Sequence, residues 1–327
     1  SDFGTVAFFN VQSLTTAIYD SWIIFDDINT AYQLSFFLII FIFIFIALEK
    51  KLRSRSRFNI PSRGYRTVEK IQLSGNVKWF MFALLFTLFF FSFIFPLSQM
   101  FFWIIKFPSN LNFVNLLQLI LNTFQLVGFT TLILILLSFI TNYGMRISES
   151  KFLNLITSFS VSGYAIPGII LAVTLLGFIS YISNYLNNDS IKMLFIGTVF
   201  GLIIAYCVRF YSLAINGIKT GYDKLNKSLD DVSCLMGNSR LGTFMYVHFP
   251  FLKQNLILIA MLVSIDILKE LPLTLILRPY NFETFATQAY VFASQDMLEF
   301  TAGPSLFLIL FASFIILISR KKILKGF

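Results

Sequence analysis

The sequence predicts an all-α fold, a polytopic membrane bundle with about seven transmembrane helices. Three observations lead there. Of 327 residues, 57% are hydrophobic and only 13% charged, an apolar excess over ordinary soluble domains. Seven runs approach or exceed the roughly 20 apolar residues that cross about 30 Å of hydrocarbon. Lysine and arginine sort to one side of those runs.

The runs lie at Gln33 to Leu48, Trp79 to Ile105, Ile120 to Thr141, Ser158 to Ile182, Met193 to Tyr211, Leu252 to Leu277 and Pro304 to Ser319. None shows the alternation of a barrel strand. The first and last are short, yet both end in lysine clusters that can snorkel to the interface. With the ends at Leu48 and Ser319 on the cytoplasmic side, the inside stretches are 49–78, 142–157, 209–253 and 320–327. They hold nine, two, six and four basic residues, 21 of the 25 lysines and arginines. The other four are Lys106, Lys192, Lys269 and Arg278.

That sidedness accounts for the net charge of +9 as positive-inside anchoring, with no nucleic acid as partner. The run KKLRSRSR, Lys50 to Arg57, adds contact with anionic membrane lipid. Cys207 and Cys234 sit in an apolar run and a cytoplasmic loop, the pattern of reduced thiols rather than a disulfide. His248 is the single histidine, too few for a Cys/His metal site or a nucleophile and base pair, and it is expected to be a bystander. No phosphate-binding G-x-x-x-x-G-K-[ST] loop is present, so any ATP is hydrolysed by a separate subunit.

A phrase occurs twice. NVQSLTTAIY, Asn10 to Tyr19, matches NFETFATQAY, Asn281 to Tyr290, at an offset of 271 residues. At that offset Thr16 meets Thr287, Thr30-Ala31 meets Thr301-Ala302, and Lys50-Lys51 meets Lys321-Lys322. The polar matches and the shared endpoint carry the argument, since Phe and Ile coincide by chance in such apolar runs. An internal duplication follows as the expectation. Residues 1–48 are then the end of a first half, a periplasmic loop plus its last helix. Residues 49–78 are a basic cytoplasmic linker, and 79–327 a second half of six helices. The chain reads as a C-terminal fragment whose two halves are parallel repeats about an axis along the membrane normal.

Between the fifth and sixth runs lies LDDVSCLMGNSRLGTFMYVHFPFL, Leu229 to Leu252. Leu229, Val232, Leu235 and Met236 share one helical face, Gly237 stops that helix, and a second short helix is expected from Ser239 towards His248 before Pro250. An amphipathic helix, turn and helix on the cytoplasmic face is a docking element for a soluble partner. Here the chain resembles the permease subunits of binding-protein-dependent ABC importers, whose loop reads E-A-A-x3-G-x9-I-x-L-P. Asp231, Val232, Ser233, Gly237, Val247, Phe249 and Pro250 keep that spacing, with Asp for Glu and Val-Ser for Ala-Ala. Further on, Lys269-Glu270-Leu271-Pro272, Leu277-Arg278-Pro279 and Thr284-Phe285-Ala286-Thr287 with Tyr290 resemble the iron(III) branch of these permeases, as does GYAIPG, Gly163 to Gly168.

The resemblance implies a type I ABC importer permease in a bacterial inner membrane, working by alternating access. It implies a cytoplasmic ABC ATPase dimer that binds ATP and Mg, a docking loop near 213–251 seated on that dimer, and a periplasmic iron(III)-binding protein. The permease itself binds no cofactor. The alternatives are a permease for thiamine, a phosphonate or a polyamine, or an ATP-independent transporter or channel.

Ionisable residues at membrane depth are costly and mark a path or an internal pair. Asp266 can reach Lys269 at i+3, whereas Lys269 and Glu270 point apart. These residues, with Pro272 to kink or end the helix, are either a neutralised pair that holds the bundle or a lining or gate on the translocation path. Pro167 with Gly163 and Gly168 marks a bend or a close packing.

Overall fold

A computed structural model describes residues 3–54, 75–108, 113–148, 152, 155, 157, 160–226 and 228–324, and among them there is no strand. The N-terminal arm comprises α1 (Gly4–Phe8), α2 (Leu14–Ile23) and α3 (Ile28–Ser54). Helix α4 (Gly75–Phe89) passes through a π-helical turn, Phe90–Ile94, into α5 (Phe95–Lys106), and α6 runs from Phe113 to Ser148. A 3-10 turn at Val161–Ala165 leads to α7 (Gly168–Tyr185), α8 (Asp189–Phe195) and α9 (Val199–Tyr222). The docking region holds α10 (Ser228–Leu235) and α11 (Arg240–Thr243). A second π turn, Phe244–His248, joins α11 to α12 (Phe249–Leu268); then come α13 (Pro272–Leu277), α14 (Phe285–Ser294) and α15 (Leu298–Leu324). Most of the basic linker lies outside the described residues.

Among the described residues seven helices are long and apolar enough to span: Ile28–Glu49, Gly75–Lys106, Asn115–Ser148, Gly168–Tyr185, Val199–Tyr222, Arg240–Leu268 and Leu298–Ser319. Each expected run finds its helix, with three corrections. The fourth starts at Gly168 rather than Ser158, because Pro167 takes extended backbone (ψ 141°) just ahead of it. The fifth starts at Val199: α8 ends at Phe195, and Thr198 caps the new helix by accepting from Gly201 N at 3.1 Å. The sixth stops at Leu268 and reaches back to Arg240, so the expected second docking helix does not end before Pro250 but continues into the span.

Proline explains that continuity. Pro250 has no N–H to donate, and the π turn just before it shifts the hydrogen-bond register so that the helix passes through. Phe95-Pro96 repeats the device after the π turn at Phe90–Ile94.

Helix α9 is the centre of the bundle. Leu202, Tyr206, Phe210, Ala214, Ile218 and Tyr222 follow one another at every fourth residue, and all are buried. They pack against α6 (Leu126, Leu134, Phe139) and α12 (Leu252, Leu256, Ile259, Val263) in one core. Polar ties reinforce it: Asn142 donates to Ile215 O at 3.1 Å, and Asn255 donates to Gly217 O at 3.1 Å.

The arm packs elsewhere. Phe3, Ile18 and Ala31 are buried with Ile169, Ile170 and Val173 of α7. The twice-written phrase folds the same way in both places. Asn10 and Asn281 have left-handed backbone, φ 52° and 61°. Ser13 with Thr16 and Thr284 with Thr287 form reciprocal capping boxes, opening helices of ten residues each. Helices α3 and α15 that follow have 27 residues each. The Phe3 ring meets both equivalent tyrosines, Tyr19 at 4.7 Å and Tyr290 at 5.8 Å between centroids.

Candidate functional site

The helix-turn-helix expected to dock a partner is a formed element. Helix α10 ends at Leu235, and Gly237 takes φ +82° so that its N–H reaches Cys234 O and the next N–H reaches Ser233 O. That backbone is strained for any residue with a Cβ, which explains the glycine of the spacing motif. Ser233 is buried and its hydroxyl lies 2.8 Å from Thr243 Oγ1, tying α10 to α11 where a larger side chain would separate them. Asp231 and Val232 face outward, Val247 is half-buried in the π turn, and Phe249 and Pro250 are exposed at the start of α12. Leu235, Met236, Leu241 and Tyr246 are each at least 75% exposed, an apolar surface on a loop that composition places in the cytoplasm.

A charge cluster that the sequence reading missed holds this loop to the bundle. Asp230, not its neighbour Asp231, turns inward. It accepts from Arg146 Nε at 2.6 Å and pairs with His248 Nε2 at 2.7 Å. Arg146 also donates to Leu225 O at 3.1 Å and Asn226 O at 3.0 Å, and its guanidinium lies over the Tyr222 ring. His248, expected to be a bystander, is 1% exposed and sits edge-on to Tyr143 and Tyr222. The length of α6 makes the contact possible: its 36 residues extend about 54 Å, well past the bilayer, carrying Arg146 out to the loop. Burial raises the Asp230 pKa, but its bonds to Arg146 and His248 lower it further, and the net position is below the ordinary carboxylate value. No local pattern announces a pairing across 84 and 18 residues.

The second cluster sits at membrane depth, where the chain breaks between α12 and α13. Lys269 Nζ lies 2.7 Å from Asp266 Oδ1, the i+3 pair, and Tyr164 donates to Asp266 Oδ2 at 3.1 Å. Lys269 is largely exposed and Glu270 buried, so the two neighbours do point apart. Pro272 occupies the first turn of α13 rather than kinking a continuous helix. The Glu270 carboxylate accepts from Leu273 N at 3.3 Å and lies 3.1 Å from Arg209 Nη1.

Arg209 is a correction. The inside stretch 209–253 counted it as cytoplasmic although the fifth run reached Tyr211; α9 continues to Tyr222 and Arg209 lies near its middle. Ten residues from the outer end of the helix is about 15 Å, half the hydrocarbon thickness. A lone arginine inside AYCVRFYSLA was the available signal.

GYAIPG is packing around this ion pair. A Cβ on Gly163 would stand 2.6 Å from Val208 O, and one on Gly168 would collide with Arg209 Nη1 and stand 2.6 Å from Glu270 Oε1. The two glycines thus let the 3-10 turn and the start of α7 close on α9. Two broken elements, one on each side, meet at Arg209.

A cavity of about 730 Å³ opens beyond this cluster, lined by Asn115, Gln118 and Asn122 of α6 and by Arg278, Glu283 and Gln288. Arg278 pairs with Glu283, and Asn122 donates to Glu283 O at 3.1 Å. Among the described residues no group of three or more His, Cys, Asp or Glu could hold a metal ion.

No protein-family model matches the chain. In sequence it is 22% identical over 324 residues to the Fe(3+)-transport system permease protein FbpB 2 of Haemophilus influenzae, an alignment covering 98% of this chain and 62% of that one. The chain thus spans about three fifths of the relative's length. In structure it is similar to a bacterial ABC transporter involved in the import of the acidic polysaccharide alginate, with a TM-score of 0.58 and 14% identity over 75% of this chain and 95% of the other. A bacterial alginate ABC transporter in complex with an alginate pentasaccharide-bound periplasmic protein gives 0.56 and 16%, over 74% and 93%. The chain is a multi-pass membrane protein with the permease fold of ABC importers, similar in sequence to an iron(III)-transport permease.

Proposed function

We propose that the chain is permease sequence of an ATP-driven importer for ferric iron in a bacterial inner membrane. One observation carries the reading: a pre-formed cytoplasmic helix-turn-helix with an exposed apolar face, built around a left-handed Gly237 in the importer spacing. Such a face needs a partner, and a cytoplasmic ATPase dimer, carrying ATP and Mg, fits it. The alignment of 98% of this chain with 62% of an Fe(3+)-transport permease favours iron and an iron(III)-binding protein on the outer side. Residues 1–48 are the end of a first half, 49–78 the linker and 79–327 the second half. The matched capping boxes and left-handed asparagines at an offset of 271 support that division. Nucleotide binding draws the docking loops together, and the helices rock as rigid bodies.

Radiolabelled ferric-iron uptake tests this in iron-starved cells carrying the intact permease, its binding protein and its ATPase. Gly237→Pro and Asp231→Arg are expected to abolish uptake while membrane insertion is unchanged. An intact system that takes up no iron overturns the substrate, and the search moves to thiamine, phosphonates and polyamines.

A further inference from the structure

Helix α6 carries a stripe that the docking loop and the ion pairs leave unexplained. Asn115, Gln118, Asn122 and Gln125 recur at spacings of three, four and three, so all four amides share one face. Gln118 and Gln125 are exposed, and neither has a hydrogen-bond partner among the described residues. Gln125 lies ten residues below Asn115, about 15 Å into the bilayer. An amide facing hydrocarbon there, with no hydrogen-bond partner, is strongly disfavoured. This face is therefore turned to water or to polar protein rather than to lipid.

The same face continues inward as Phe129, Leu132 and Leu136, each more than half exposed. Polar wall gives way to apolar wall at about mid-depth. The cavity of about 730 Å³ opens at the outer end of the stripe, lined by three of its four amides. Its charges are already matched, since Arg278 holds Glu283 and Glu283 also accepts from Thr287 at 2.7 Å.

We propose that this amide face is the wall of the solute path and the cavity its outer vestibule, with Phe129, Leu132 and Leu136 forming the closed section below. The proposal deepens the importer reading and rests on it. Among the described residues no group of three or more His, Cys, Asp or Glu could hold a metal ion, so these amides meet a solute through hydrogen bonds from outside its first shell. The path therefore takes iron whose coordination sphere is already filled by water or small oxygen ligands, rather than passing a bare ion from side chain to side chain. The Arg209–Glu270 pair borders a separate cavity of about 720 Å³, with Lys269, Pro272 and Tyr290.

The test uses the full permease with its ATPase and binding protein, in which Cys207→Ala and Cys234→Ser remove the native thiols. Single cysteines replace Asn122, Gln125, Leu117 and, on the separate span Gly75–Lys106, Leu85, and a charged, membrane-impermeant methanethiosulfonate is added outside. Thiolate is the reactive form and does not survive in hydrocarbon, so Asn122→Cys and Gln125→Cys are expected to react at least ~10-fold faster than the two leucine positions. Their modification should also block ferric-iron uptake. Gln125→Leu should lower uptake about 10-fold while Gln125→Asn retains it, a difference of about 1.4 kcal/mol in the barrier. Equal labelling at all four positions, or fast labelling at Gln125 with uptake unchanged, overturns the path. A protein that labels in the expected pattern but imports no iron loses the substrate and keeps the wet wall; one that imports iron but labels evenly loses the wall and keeps the substrate.

Discussion

The Arg209–Glu270 pair and the Arg146–Asp230–His248 cluster both hold charge inside the protein, but water reaches them unequally. Glu270 is 6% exposed and Arg209 13%, at the edge of a cavity of about 720 Å³. Asp230 is 29% exposed, in the segment between α9 and α12. A charge that loses its partner in the first site is left mostly buried. In the second it has solvent, and Arg146 keeps three backbone carbonyls. The deep pair is therefore an all-or-none clamp on α7, α9 and the α12–α13 break, and the surface cluster an adjustable hinge pin between α6 and the docking loop.

The sharpest way to break this comparison is to remove one deep partner. Glu270→Ala is expected to destabilise the purified permease by about 3–5 kcal/mol, since it leaves the arginine buried and uncompensated. Thermal unfolding in detergent reads this. Arg209→Met with Glu270→Gln should recover most of the loss. A single variant as stable as the parent would mean that water reaches the site and that the distinction between the clusters is wrong.

A smaller effect tests the packing that excludes that water. Gly163→Ala puts a methyl group against the Val208 carbonyl, a backbone atom that cannot swing aside, and is expected to cost about 1–3 kcal/mol. The same melting measurement decides it, and an unchanged melting temperature would show that the 3-10 turn is free to move off α9.

The smallest effect is local and depends on pH. Asp230 has its carboxyl pKa depressed in the folded chain, so its contribution is fully present above the unfolded value of about 4 and is lost as pH falls through the folded value. Amide hydrogen exchange over 225–248, corrected for intrinsic rates, should therefore speed up only below about pH 4. Asp230→Asn should already exchange faster at pH 7 and respond less to acid. Loosening of the deep cluster over the same pH range, with the loop unaffected, would reverse the roles assigned to the two.

Much of the fold was legible because a bilayer imposes a simple length rule. Seven apolar runs became seven helices, since in hydrocarbon each backbone polar group must be satisfied within its own helix. The docking loop was legible for a local reason: Gly237 reports a left-handed backbone, and the exposed apolar residues follow helical spacing. The repeated phrase could be read because a capping box lies within four residues of chain.

What composition and spacing determined unaided was thus the spans and the turn chemistry, set by groups within a few residues of one another or by the solvent they face. Tertiary structure alone decided which aspartate of Asp230-Asp231 turns inward, that His248 is a pillar of the loop, that Arg209 lies in the membrane against Glu270, and that Pro250 sits inside a continuous helix. Those outcomes depend on partners 18 to 84 residues away and on where helices start and stop by a turn or two. An ion pair belongs to the packing of two helices, and neither helix encodes it by itself.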